Sequence, residues 1–241
     1  MRLLIVRHGD PDYSIDGLTE KGKREAELLA DRLTKERIDY AYCSPLGRAR
    51  LTAEPTLTRL GMEAEICDWL REFSYVKIDY PGYPEGRILW DMHPSYMNLH
   101  PELYSEEGWL RNKTVAESGA EEAYRRVCSE LDTLLSRHGY LREGKNYRAV
   151  RANHDTVVLF CHFGVIAVLL SHLWNTSPYV IWQHLCALPT SVTTVYTEER
   201  EEGIASFRTA TFGDLSHLYL GGEEPAFAAR FCECFTDDTR H

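Results

Sequence analysis

Five side chains in this chain have types suited to phosphorus chemistry, and each stands at or just beyond the end of a strand-like run. Arg7 and His8, with Gly9, follow the apolar run Arg2 to Val6. Arg48 lies one turn into a segment that starts at Ser44-Pro45-Leu46, just after the run Ile38 to Cys43. Glu72 follows the short run Met62 to Cys67, and His162 follows Thr156 to Cys161, the most strand-like stretch of the chain. A neutral imidazole can attack phosphorus in line, and a second, protonated imidazole can neutralise the equatorial oxygens. Guanidinium forks bind phosphate oxygens bidentately and keep their charge. A carboxylic acid can give its proton to a leaving oxygen. His8 is therefore read as a nucleophile, with Arg7, Arg48, His162 and Glu72 around it. The backbone N–H of Phe163, at the start of a helix, supplies a further anion site.

These groups are far apart in sequence, so the elements must bring them together. Strands alternate with helices along the chain, which gives an α/β fold: a three-layer α/β/α sandwich with a mostly parallel central sheet. In such sheets ligands collect beyond the carboxyl ends of the strands. Leu18-Thr19-Glu20 opens a helix of about 17 residues, with Thr19 as N-cap and an apolar face at Ala26, Leu29, Ala30 and Leu33. Ser44 as N-cap and Pro45 at the first helical position open a second, which ends near Gly61. Val115 to Arg137 reads as one amphipathic helix, and Gly139 to Asp155 as a basic, polar connection. Val165 to Leu173 and Pro178 to His184 are helical, and Ser191 to Tyr196 and Ile204 to Thr209 are strands around a charged turn.

Residues 1–241 read as one domain, with 73–114 as an insertion or lid. That segment holds four prolines and eight aromatics from Phe73 to Trp109, too apolar a content to stay in water. A side core and a lid over the substrate pocket both fit it.

The chain has 241 residues, enough for one sizeable core, and a formal net charge of −10, which argues against nucleic acid or an anionic membrane as partner. No run approaches a membrane span. The N-terminus starts a strand directly, with no signal peptide, and the seven cysteines are scattered without a Cys-x-x-Cys pair. Both features point to a cytoplasmic protein with reduced thiols. Neither a metal nor a cofactor is expected; Cys232 and Cys234 are two tail thiols without further ligand types. His93, His100, His138, His154, His172, His184 and His241 are read as structural or surface groups, and His217 as a packing or hydrogen-bonding residue.

Arg7-His8-Gly9, Ser44-Pro45-Leu46-Gly47-Arg48-Ala49 and His162 occur here in the order in which the histidine phosphatase superfamily carries them. The chain resembles the phosphoglycerate-mutase-like branch of that family. Leu18-Thr19-Glu20-Lys21-Gly22 is similar to the opening of its first helix, Leu70-Arg71-Glu72 to its acid/base position, and Asp214-Leu215-Ser216-His217-Leu218 to a closing pattern. Two positions depart: Leu51 stands before Thr52 where the family often has glutamine, and Phe163 stands where glycine usually follows the second histidine. The resemblance implies a metal-independent, acid-type phosphatase. His8 would form a phosphohistidine, Arg7, Arg48 and His162 would hold the phosphoryl group, and Glu72 would act as general acid and base. The substrate would be a small phosphomonoester, and Ser14 falls near a substrate-binding asparagine of the mutases.

Other readings compete. For Glu72, nearby Glu65 and Asp68 are rivals, and a first-turn carboxylate is the plain alternative. A cofactor-dependent phosphoglycerate mutase is the second function. The loop between Gly9 and Leu18 is shorter than in mutases, and the basic pairs they use are not evident after Glu72. A phospho-ligand binder without catalysis is the third. Composition and motifs leave the substrate and oligomeric state undetermined.

Overall fold

A computed structural model describes residues 1–228, 231–237 and 239. The reading of His241 as a surface group lies outside them. The central sheet has eight strands: β1 (Arg2–Arg7), β2 (Tyr40–Cys43), β3 (Glu65–Ile66), β4 (Tyr140–Glu143), β5 (Asn146–Ala149), β6 (Thr156–Cys161), β7 (Val192–Glu201) and β8 (Ile204–Asp214). Their spatial order is β3-β2-β6-β1-β7-β8-β5-β4. The half from β3 to β1 is parallel. The half from β1 to β4 is antiparallel. The sheet is therefore mixed, and its parallel half carries the strand ends that matter here.

Leu3 to Val6 of β1 and Val157 to Cys161 of β6 are apolar without interruption because both of their faces are covered. Leu4, Val6, Val158 and Phe160 point to one side and pack with Leu29 and Leu33 of α1 (Glu20–Leu33) and Ala49 and Ala53 of α2 (Gly47–Leu60). Leu3, Ile5, Val157, Leu159 and Cys161 point to the other side. There they meet α3 (Ala120–Arg137), α4 (Phe163–Trp174) and α5 (Pro178–His184). The result is the expected three-layer sandwich. Truncating one of these buried aliphatic side chains to alanine costs about 2–5 kcal/mol.

Local chemistry sets the element ends. Thr19 caps α1 by accepting from the Gly22 amide at 3.0 Å. Gly61 ends α2 in the left-handed region, at φ 62°. α2 begins later than its sequence suggests: its N-cap is Leu46, and Ser44 and Pro45 lie before it. The helix expected over Val115 to Arg137 is two, Lys113–Ala116 and α3, divided at Gly119 with φ 76°. The connection from Gly139 to Asp155 forms the β4–β5 hairpin rather than a loop, and Arg142 ties it to His172 O and Asn175 Oδ1. Among the described residues no helix is long and apolar enough to cross a membrane.

Residues 73–114 form short helical turns, a two-stranded ladder (Lys77–Ile78 with Arg87–Ile88) and the helix Pro94–Leu99. Phe73, Ile78, Leu89, Met97, Leu103 and Trp109 are buried in the main core. The apolar side chains of this segment are thus continuous with the main core.

Candidate active site

Strand register assembles the site. Arg7 pairs with Cys161, so His8 and His162 leave β1 and β6 side by side. Their ring centroids are 5.0 Å apart. Phe160 pairs with Cys43, so Ser44 leaves β2 next to His162. The structure thus gathers groups separated by more than a hundred residues through three adjacent parallel strands, as the strand-end pattern requires.

His8 is held on every side. Its amide donates to Cys161 O at 3.0 Å, and its carbonyl accepts from Thr190 N at 3.1 Å. Its Nδ1 donates to the carbonyl of Gly9 at 2.7 Å. That bond fixes the proton on Nδ1 and leaves a lone pair on Nε2. Burial, reinforced by Arg7, holds His8 well below the usual imidazole range, so the ring stays neutral. The loop after it is clamped: Gly9 N donates to Thr52 Oγ1, and Asp10 N to the buried carboxylate of Glu25. Gly22 of α1 comes so close that a Cβ on it would lie 2.2 Å from Asp10 O.

Arg7 and Arg48 flank the histidines. Arg7 is buried and donates to Ala187 O at 2.6 Å and Ala228 O at 2.8 Å, with its guanidinium 5.4 Å from the Phe231 ring centre. Arg48 donates from Nη1 to Asp16 Oδ1 at 2.5 Å and lies 5.5 Å from the Tyr13 ring centre. The Nε of each makes no hydrogen bond among the described residues.

His162 is fully buried. Its Nε2 lies 2.8 Å from Ser44 Oγ. Burial, then the charges of His8, Arg48 and Arg7, push it well below the usual imidazole range. Phe163 is the first residue of α4, so the helix itself does not use its amide. Its ring packs edge-on against Trp90 and Phe231.

Glu72 turns toward the start of α4. Its Oε1 accepts from Phe73 N at 2.8 Å. Burial raises its pKa against the opposing pull of the Phe73 amide, Arg7 and Arg48. Its rivals are engaged elsewhere: Glu65 pairs with Arg137, and Asp68 with Arg126. Ser14 is not gathered into this cluster. It is exposed, and its hydroxyl donates to Asp12 Oδ1 at 2.6 Å.

Several contributors escape a reading of the sequence. Asp16 meets Arg48 and the Gly47 amide, and only its place in a polar loop beside the motif hints at this. Trp90 reaches the site from the aromatic segment. Ala228 and Phe231 come from a weakly patterned tail. His217 bonds Thr190 Oγ1 at 3.1 Å, and Thr190 sits at φ 57°, a strained value for a β-branched residue, while holding the His8 carbonyl. The hydrogen-bonding role read for His217 is thus a clamp on the loop behind His8.

The family model of the histidine phosphatase superfamily (branch 1) matches residues 3–209. The chain belongs to that family. A putative phosphoserine phosphatase 2 from Hydrogenobacter thermophilus is 31% identical over 195 residues, covering 72% of this chain and 83% of that protein. A probable phosphatase from Schizosaccharomyces pombe is 26% identical over 234 residues, covering 90% and 95%. A crystal structure of a phosphoserine phosphatase mutant from Entamoeba histolytica with phosphoserine shares the fold, with a TM-score of 0.60 at 18% identity, covering 90% of this chain and 98% of that one. Within the family the chain is a phosphomonoester hydrolase of the phosphohistidine type.

Proposed function

We propose that the cluster around His8 is the catalytic site and that it hydrolyses a small phosphomonoester without a metal ion. The bond from His8 Nδ1 to Gly9 O carries this reading, because it leaves Nε2 as the attacking atom. Nε2 bonds to phosphorus as the ester P–O bond breaks, giving phosphohistidine and an alkoxide. Arg7, Arg48, His162 and the amide of Phe163 take the charge of the transferring group, where positioning and electrostatics supply most of the rate. Glu72, kept protonated by burial, gives its proton to the leaving oxygen. As a carboxylate it then draws a proton from the water that cleaves the phosphohistidine.

Hydrolysis is favoured over phosphoryl return to substrate by the short loop between Gly9 and Leu18. That loop folds as a small ladder, Pro11–Asp12 with Gly17–Leu18, and turns Ser14 to solvent. Ser14 as a substrate contact therefore requires the loop to move. Trp90, from the 73–114 segment, forms an apolar wall beside Glu72, which gives that side core a part in shaping the pocket. Cys43, Cys67, Cys128, Cys161, Cys186 and Cys232 are free thiols, which supports a reducing compartment such as the cytoplasm.

The test is a screen of purified protein on O-phosphoserine, sugar phosphates, nucleotides and phosphoglycerates. Release of inorganic phosphate is expected. Conversion of 3-phosphoglycerate to 2-phosphoglycerate without phosphate release would replace this reading with the mutase, and binding without turnover of any ester would replace it with the binder.

A further inference from the structure

We infer that Ser44 is a positioning residue that fixes the ring tautomer of His162, and so decides whether a neutral His162 can donate to the phosphoryl group. The inference rests on the phosphatase reading of the site.

Ser44 is fully buried at the end of β2, with its amide on Phe160 O at 2.9 Å. Its Oγ has two neighbours. It accepts from the Leu46 amide at 3.3 Å, and it lies 2.8 Å from His162 Nε2. Proton accounting settles the direction of the second bond. If His162 donated from Nε2, the serine proton would be left buried without an acceptor among these contacts, at a cost of about 1–3 kcal/mol. If the serine donates, both of its polar functions are used: the lone pair on Leu46 N–H and the proton on Nε2.

Nε2 is then an acceptor, and a neutral ring must carry its proton on Nδ1. Nδ1 is buried and makes no hydrogen bond among the described residues. It is the one unspent donor on a ring 5.0 Å from that of the nucleophile. Burial and the neighbouring cations keep the ring neutral, so the tautomer matters. With the proton on Nε2 instead, Nδ1 would offer a lone pair to an anionic oxygen and repel it. The short sequence Ser44-Pro45-Leu46-Gly47-Arg48 thus supplies two things, a cation for the phosphoryl group and the hydroxyl that sets its imidazole partner.

The test reads the ring nitrogens of His162 by ¹⁵N NMR, assigned by their loss in His162→Gln, in free protein and with orthovanadate. Nδ1–H with an unprotonated Nε2 is expected in the unaltered protein. Ser44→Ala is expected to shift the ring toward Nε2–H and lower kcat by about 10- to 100-fold, the size of loss met when the orienting partner of a metal-bound imidazole is removed. Ser44→Thr, which keeps the hydroxyl, is expected to restore the Nδ1–H signature. An Nε2–H tautomer in the unaltered protein, or an unchanged tautomer in Ser44→Ala, would overturn the inference even where His8 is still phosphorylated. Absence of phosphorylation at His8 would instead overturn the reading of the site on which it rests.

Discussion

Glu72 Oε1 lies against Gly164 so closely that a Cβ on residue 164 would come within 2.5 Å of it. The same Cβ would stand 2.4 Å from Trp90 Cζ3. The second residue of α4 must therefore lack a side chain for the carboxyl group and the indole to sit where they do. Gly164→Ala is expected to fold, because the position is helical, but to displace Glu72. Turnover of alkyl phosphates should fall by about 10²-fold or more, at the low end of a general acid's usual contribution. Hydrolysis of p-nitrophenyl phosphate, whose leaving group needs no proton, should fall much less. Equal losses on both substrates would separate Gly164 from leaving-group protonation.

The pH profile is set by the same burial. Glu72 is raised, so its acid form persists above the ordinary carboxylate range, and activity is lost as pH rises through its pKa. His8 is lowered, so it stays neutral below the ordinary imidazole range, and activity is lost only as pH falls through that depressed value. The profile of kcat/KM for alkyl phosphates should therefore rise on an acid limb set by His8 and fall on an alkaline limb set by Glu72. Glu72→Gln should remove the alkaline limb and lower the plateau by about 10²- to 10⁴-fold. An alkaline limb unchanged in Glu72→Gln would assign the acid to another group.

Asp16 holds Arg48 at 2.5 Å, on the guanidinium that a substrate phosphate would engage. Carboxylate and phosphate compete for one cation. Asp16→Asn removes the competing charge while keeping an oxygen for the Gly47 amide. Phosphate and vanadate should inhibit this variant at several-fold lower concentration, as expected for a partly exposed ion pair worth about 1 kcal/mol or less. Weaker inhibition would mean that Asp16 instead orients Arg48 for the anion.

Thr190 reaches the proposed nucleophile through the His8 carbonyl and is steadied by His217. His217→Ala should lower stability by about 0.5–1.5 kcal/mol, because the buried Thr190 hydroxyl loses one hydrogen bond while keeping its bond to Pro189 O. kcat should fall with little change in KM, since the loop behind His8 loosens while the phosphate contacts remain. Denaturant unfolding and steady-state kinetics check the two parts separately.

The layers and the strand-end cluster are legible because they depend on patterns that repeat locally. Leu3 to Val6 and Val157 to Cys161 are apolar on both faces, and both faces are covered. The residues just after Arg7, Cys43 and Cys161 then lie beyond one edge of one sheet. Contacts made by single residues across long separations leave no such pattern. Asp16 reaches Arg48 through a turn in a polar loop, and Phe231 covers Arg7 from a tail with no periodicity. Ser44 shows how a correct local signal can conceal a distant one. Its type and the following proline suggest an N-cap, whereas the helix starts at Gly47 and the hydroxyl faces His162. The β4–β5 hairpin is masked by its charge, because its strands lie at the exposed edge of the sheet, where alternation is weak.

One atom, Nε2 of His8, carries the proposed chemistry. Rapid quenching during turnover of a labelled phosphomonoester, followed by mapping of the acid-labile label, should place phosphorus on Nε2 of His8, with no label and no turnover in His8→Ala. Phosphorus on Nδ1 or on another residue, or turnover retained in His8→Ala, would contradict the account.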